Sequence, residues 1–409
     1  MKTYISVLLA CSIFCTTLAQ TSIDTIFSSG VLELEATLSY PTGNGPFPVL
    51  ILVHGSGPND RNSTAIITGP NLSCIYPNLV GDTIRLFKTL ADRLNAEGYA
   101  VFRYDKRTYT HGATLNLSTI IIDDFTDDAI AALEFVKTLP NINPQKVALL
   151  GHSQGSSIIA QAAYQRTDVS CMVSLAGPYT PIDTLLAEQA YNGTVLCTGD
   201  TAQAQIAYNN NLDVFSQVRN NTWPANQPIG GAYPLFWKSW INLSDSIALY
   251  YNSSAVPQLF LQGTGDFNVP TSEAGRFSNN LSGAVDVYLL DNLNHFFSTA
   301  NSSMVSTVML DTLIQWLNSQ IKTSITEVKP SYELVVKQST DHLIVDLKYT
   351  HLAEITGGGI YDLSGRKILN IEYTGKSILQ VSLNNVPKGT HLLVIQTSRG
   401  VLSKIFCKS

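Results

Sequence analysis

From residue 31 to residue 321 the hydrophobic positions follow two alternating periods. Short, mainly apolar runs at 47–53, 99–104, 147–150, 172–175, 258–262 and 285–290 have the length of strands covered on both faces. Between them, segments 83–97, 124–138, 156–164 and 304–316 space their apolar side chains as one stripe of a helix. In 83–97 that stripe is Ile84, Phe87, Leu90, Ala91 and Leu94, and Gly98 closes it. Strands alternating with helices predict a mostly parallel, doubly wound sheet with helices on both faces. Residues 31–40 alternate apolar and polar instead, which suits an antiparallel entry strand.

The alternation breaks between 178 and 255. This stretch holds Trp223, Trp237 and Trp240, with Tyr233 and Phe236. So long a connection without structure is unusual in a compact domain, so a largely helical lid over the site is expected, the alternative being a surface insertion with its own small core. Both ends of the insertion are expected at the carboxyl edge of the sheet, where Trp237 and Trp240 would line a substrate pocket. After a polar linker at 323–331 the pattern changes to short β-like runs at 332–336, 342–347, 359–361, 379–383, 392–396 and 402–406, separated by turn signals. Residues 332–409 therefore form a separate all-β domain, a small sandwich.

The chain has 409 residues, ample for two domains, and 44% of them are hydrophobic, enough for sizeable cores. Only 14% are charged and the net charge is −6, which argues against nucleic acid or an anionic membrane surface as a partner. Lys2, an apolar run over 5–18 and the small residues before Gln20 read as a secretory signal at 1–19, too short to span a bilayer. Leu8-Leu9-Ala10-Cys11 offers the alternative of a lipid on Cys11. Export permits disulfides; of Cys74, Cys171, Cys197 and Cys407, the first and third lie in loop-like sequence and are the favoured pair, while Cys171 opens an apolar strand and reads as a buried thiol. No metal-ligand spacing is present, and no cofactor is called for.

Chemistry concentrates at Gly151-His152-Ser153-Gln154-Gly155. This G-x-S-x-G run sits between a strand and a helix, where a sharp turn presents the serine hydroxyl at the sheet edge and flanking glycines relieve the crowding. A serine nucleophile needs a neighbouring base. His295 follows the last strand of the sheet, as the chain order Ser, Asp, His requires. Asp266, in a glycine-containing turn after the 258–262 strand, is favoured to orient it over Asp291, which ends the last strand. His54-Gly55-Ser56-Gly57 follows the first buried strand, so the backbone N–H groups of Ser56 and Gln154 are the expected oxyanion donors. In Arg103-Tyr104-Asp105-Lys106-Arg107, structural ion pairs are expected, with Arg107 able to meet an acidic substrate; Asp123, Asp124, Asp127 and Asp128 fit a helix start.

These residues, across 31–321, resemble the α/β-hydrolase superfamily. The runs Val53-His54-Gly55-Ser56-Gly57-Pro58-Asn59-Asp60-Arg61-Asn62, Phe102-Arg103-Tyr104-Asp105-Lys106-Arg107 and Ala176-Gly177-Pro178 look like serine esterases and acyl-peptidase-like hydrolases related to dienelactone hydrolases. The dienelactone branch uses cysteine as nucleophile; Ser153 points to an esterase, and the resemblance implies a small-molecule acyl ester as substrate. In the β domain, Gly359-Ile360-Tyr361-Asp362-Leu363-Ser364-Gly365-Arg366-Lys367, Leu383-Asn384-Asn385-Val386-Pro387-Lys388-Gly389-Thr390 and the terminal Val401-Leu402-Ser403-Lys404-Ile405-Phe406 look like a type IX secretion system sorting domain, although Gly357-Gly358-Gly359 interrupts the usual strand. That resemblance implies secretion machinery as a partner and a Gram-negative cell surface or medium as destination; a carbohydrate-binding or adhesion module is the alternative.

Overall fold

Alternate residues of one strand reach opposite layers of the first unit. Val49, Ile51 and Val53 join one apolar cluster, while Leu50 and Leu52 join another on the far side of the sheet. The structure, a computed structural model, describes residues 21–321, 334–339, 341–347, 355–362, 366–371, 378–397 and 400–408. The expected signal at 1–19 and linker at 323–331 lie outside them. The chain divides into two units at Lys322 and Thr323.

The first unit begins with β1 (Thr21–Ser29), β2 (Leu32–Tyr40), β3 (Phe47–Val53), β4 (Thr64–Ile66), α1 (Gly69–Ile75), β5 (Thr83–Arg85) and α2 (Leu86–Ala96). It continues through β6 (Ala100–Tyr104), α3 (Arg107–Thr110), α4 (Asp123–Lys137), β7 (Ile142–His152), α5 (Gln154–Gln165) and β8 (Cys171–Leu175). Four helices follow: α6 (Ile182–Thr198), α7 (Thr201–Arg219), α8 (Pro234–Asp245) and α9 (Ile247–Asn252). The unit closes with β9 (Gln258–Gly263), α10 (Ser272–Asn280), β10 (Val285–Leu290) and α11 (Thr307–Gln320). Eight strands make one sheet in the order β1-β2-β6-β3-β7-β8-β9-β10, with β2 antiparallel to both neighbours and β6 through β10 parallel. This is the α/β-hydrolase arrangement expected from the sequence. Helices α4 and α5 contribute to one cluster, α2 and α11 to the other.

Several boundaries move. Residues 83–85, expected to open a helix, instead pair with β4, and α2 begins at Leu86. Strand β1 was not expected; it is an edge strand in which only Phe27 and Ser29 are buried while Ile23 and Ile26 are exposed, so its apolar residues do not mark one face. The last helix starts at Thr307 rather than at Met304, which is exposed.

The insertion departs from the expectation about its ends. Leu175 leaves β8 at the carboxyl edge, but parallel pairing of Met172 with Gln258 puts the start of β9 at the amino edge. A parallel crossover has to traverse the sheet, so residues 178–255 run from one edge to the other. Helix α9 lies on α5 along this route, where the Tyr251 hydroxyl donates to the Ser156 carbonyl at 2.8 Å. Cys74 in α1 and Cys197 in α6, both helical rather than in the loops expected, are disulfide-bonded with Cα atoms 5.5 Å apart, whereas Cys171 is a buried free thiol.

The second unit contains β11 (Leu334–Gln338), β12 (His342–Leu347), β13 (Ile355–Tyr361), β14 (Lys367–Ile371), β15 (Ile378–Ser382), β16 (Gly389–Thr397) and β17 (Gly400–Lys408). They form two antiparallel sheets, β11-β12-β15 and β14-β13-β16-β17. Leu343, Val345 and Val381 of the first share a core with Ile360, Leu393 and Ile395 of the second. Strand β14 escaped the sequence reading. The three glycines lie in β13 between β14 and β16, where a Cβ on Gly358 would stand 2.7 Å from the Val394 carbonyl oxygen.

Candidate functional site

The carboxyl ends of β7, β9 and β10 carry the residues of interest. At the end of β7 the chain turns sharply into α5, and Ser153 takes φ +55° and ψ −122°, outside the ordinary L-residue regions. The turn closes because its flanks are bare. A Cβ on Gly155 would meet the Val53 carbonyl oxygen at 2.1 Å, and one on Gly151 would meet the Gly155 backbone at 2.3 Å. The Ser153 N–H donates to the Leu175 carbonyl at 2.8 Å, tying the turn to β8. Helix α5 starts at Gln154, so its unpaired N–H groups and dipole favour negative charge next to the serine.

Asp266 follows β9 and His295 follows β10. His295 Nδ1 lies 2.8 Å from Asp266 Oδ2, with both side chains buried. The carboxylate is fixed by three further donors: Gln262 Nε2 at 3.1 Å and the N–H groups of Asn268 and Val269 at 2.8 and 3.0 Å. A carboxylate so held orients the imidazole and leaves Nε2 for proton transfer. Asp291 is exposed at the end of β10. The loop bearing His295 is anchored at a second point, where His152 Nε2 meets the His295 carbonyl oxygen at 2.8 Å. Burial draws the His152 pKa down to about 3, helped by the neighbouring His295, so the ring is neutral.

The loop after β3 packs on the same turn: a Cβ on Gly55 would come within 3.2 Å of the Ser153 Cβ. Asn59 Nδ2 collects the carbonyls of Gly55, Ser56 and Gly57 at 3.1, 2.9 and 3.2 Å, leaving the N–H groups of the loop to point elsewhere. Arg61 fastens the far end, bonding Asp105 at 2.7 Å and Glu35 at 2.6 Å. His54 Nε2 lies 2.6 Å from the Tyr104 carbonyl oxygen, and burial lowers its pKa to about 4.

A cavity of about 460 Å³ opens beside this loop, lined by Ser56, Lys106, Phe125, Phe236, Trp237 and Trp240 among others. The Trp237 and Trp240 rings stack at 5.6 Å, and both residues also belong to the core. Trp223 lies apart, half-buried and bonded to the Gln227 carbonyl. Size and lining suit a small apolar group. Arg107 is engaged by Asp124 at 2.8 Å and Asp128 at 2.7 Å, so the substrate-facing option raised for it gives way to a buried ion-pair cluster. Lys106, grouped in the sequence with those ion pairs, instead points its ammonium at the Gly55 carbonyl and the Gln154 side chain, both at 2.7 Å. Glu273 was also missed; fully buried, it accepts from the N–H groups of Tyr179 and Thr180 and holds the start of the insertion.

A family model described as serine aminopeptidase, S33, matches residues 80–297, more than half of the 409-residue chain. Esterase EstD of Thermotoga maritima is 26% identical over 265 residues, covering 64% of this chain and 57% of EstD. Quorum-quenching protein AidA of Acinetobacter baumannii is 24% identical over 161 residues, 39% of this chain and 45% of AidA. The chain thus spans about half the length of these curated relatives. Among solved structures, it is similar to the α/β hydrolase GrgF from Penicillium sp. sh18, with 16% identity and a TM-score of 0.48 over 75% of this chain and 100% of that one. It is likewise similar to Est1E from Butyrivibrio proteoclasticus, with 14% identity and a TM-score of 0.47 over 73% and 99%.

Proposed function

Because the chain belongs to the serine aminopeptidase S33 family of hydrolases, we propose that it cleaves carboxylic acyl esters through an acyl-enzyme on Ser153. The observation that carries this reading is the buried Asp266–His295 hydrogen bond at the sheet edge where the strained Ser153 turn also lies. Ser153 Oγ attacks the ester carbonyl as His295 Nε2 takes its proton, and Asp266 favours the resulting imidazolium. The N–H groups of Ser56 and Gln154 receive the oxyanion. His295 then protonates the departing alcohol, and water repeats the sequence to release the acid. The cavity walled by Trp237 and Trp240 receives the acyl group. The esterase relative EstD supports ester cleavage; the family description keeps amide cleavage as a second reading.

A panel of p-nitrophenyl esters and aminoacyl p-nitroanilides separates the two. Turnover of esters, abolished in Ser153→Ala and blocked by a fluorophosphonate attached to Ser153, is the expected result. Faster turnover of anilides favours the peptidase reading, and full activity in Ser153→Ala ends both.

Export is part of the proposal. It rests on the signal-like segment 1–19 and the sorting-domain resemblance of 332–409, and the Cys74–Cys197 bond accords with an oxidising compartment. Deleting 332–409 should leave catalysis intact and keep the enzyme from the surface or medium; a folded but inactive truncation would show that the β unit serves the active site.

A further inference from the structure

We propose that Lys106 is a positioning residue that sets the two oxyanion donors through one ammonium group. The proposal rests on the serine-hydrolase reading above. Lys106 follows β6 and is 4% exposed. Its Nζ donates to the Gly55 carbonyl oxygen at 2.7 Å and to Gln154 Oε1 at 2.7 Å. The Gly55 carbonyl and the Ser56 N–H are opposite ends of a single peptide plane. Fixing that oxygen therefore fixes the direction of the Ser56 N–H. Drawing electron density toward the oxygen also strengthens the same N–H as a donor, since linked hydrogen bonds polarise one another.

The second contact acts on the other donor. Gln154 begins α5 and supplies its own backbone N–H to the oxyanion, and its side-chain oxygen is held by the same ammonium. Lys106 thus bridges two loops that come from different strands, the one after β3 and the turn after β7. A neutral donor could hold them together. A cation adds a positive field where negative charge develops, in surroundings too dry to screen it. The nearby cations have other partners: Arg61 is taken by Asp105 and Glu35, Arg107 by Asp124 and Asp128, and Arg103 bonds Asn62. The ammonium also stands over the Phe125 ring, 4.5 Å from its centre. Burial lowers the Lys106 pKa to about 7, with Asp128 opposing the shift, so the positive field is complete below that pH and fades above it, while the neutral amine still donates to both oxygens and keeps the two N–H groups aimed.

The test uses p-nitrophenyl acetate and its thiono analogue, in which sulfur replaces the carbonyl oxygen and accepts hydrogen bonds poorly. Lys106→Met should lower kcat on the oxygen ester by about 10- to 100-fold, somewhat less than loss of a direct oxyanion donor. KM should stay within about two-fold, and the preference for oxygen over sulfur should shrink by a similar factor to kcat, as expected when donors lose their aim. Gln154→Met keeps the backbone N–H and removes one anchor, so it should show a smaller loss of the same kind. Titration with a fluorophosphonate gives the fraction of active sites and removes misfolded protein from the comparison. An unchanged oxygen–sulfur preference in both variants overturns the proposal, as does a rise in KM with kcat intact. If Lys106→Met does not fold, Gln154→Met decides by the same criterion. Failure of the underlying reading is separate: it is seen as full activity in Ser153→Ala.

Discussion

His152, the residue before the candidate nucleophile, bonds through Nε2 to the backbone carbonyl of His295 at 2.8 Å, and the two rings lie 4.8 Å apart. The turn that presents Ser153 is therefore tied directly to the loop that carries His295. A neutral imidazole has one N–H, and the bond places it on Nε2. His152→Phe keeps the ring and deletes the donor. It should lower kcat by about tenfold through misplacement of His295, with KM little changed. Steady-state kinetics on one p-nitrophenyl ester check this; an unchanged kcat would reduce the bond to a packing detail.

Two buried neutral histidines also set acid sensitivity. The folded-state pKa values of His54 and His152 are lowered to about 4 and about 3, from an ordinary value near 6.5, mainly by burial. Below about pH 6.5 the unfolded chain takes up protons that the folded chain refuses, so stability falls as pH drops toward those values. Every tenfold difference in proton affinity between the two states is worth about 1.4 kcal/mol. The carboxylate of Asp168, held low by Arg166 and Lys137, contributes to acid loss only below the ordinary carboxylate range. Thermal midpoints should therefore decline between pH 6.5 and 4.5; a flat midpoint across that window contradicts the assignment.

Trp237 and Trp240 serve the cavity and the core together, so truncation should register in both. Trp237→Ala also leaves the Ile229 carbonyl without its 2.8 Å partner and should cost about 3–5 kcal/mol. Trp240→Phe keeps most of the packing, and the Trp240 indole nitrogen has no hydrogen-bond partner among the described residues to lose. This milder change should shift the preferred acyl length with a small change in midpoint. Chain-length preference measured for Trp240→Phe decides whether the cavity holds the acyl group; identical preference would place the acyl group elsewhere.

The Cys74–Cys197 bond joins positions 123 residues apart and connects α1 to the first helix of the insertion. Closing so long a loop restricts the unfolded chain by about 4–5 kcal/mol on the chain-entropy view. Reduction, or Cys74→Ser, should lower the thermal midpoint while leaving the Asp266–His295 pair in place, so residual activity at low temperature should persist. A midpoint insensitive to reductant would show that the bond contributes little.

The parts of the site that were legible in the sequence are those whose chemistry is local. A turn such as 151–155 needs glycine on both sides of the serine whatever surrounds it, and the central strands announce themselves because both faces are covered. Lys106 and His152 were not legible, because their roles depend on a carbonyl 51 and 143 residues away, and no local period encodes that. Strand β1 failed for the opposite reason: one face is solvent, and its threonines and serines look like a loop. The ends of the insertion were misplaced because a helix-rich segment between two parallel strands has to cross the sheet, a constraint of topology rather than of composition.

The distribution of the proposed triad along the chain has a consequence for biosynthesis. Ser153 is made about 140 residues before His295, and Asp266 arrives only after the whole helical insertion. A partly synthesised catalytic unit can build the nucleophile turn from β3, β6 and β7, yet it holds a serine with no base. On the proposed mechanism, hydrolysis would therefore wait until β9 and β10 dock on the growing sheet. A chain stopped before β9 and β10 should then be inert toward esters, and the first turnover would report that the last two strands have found their places.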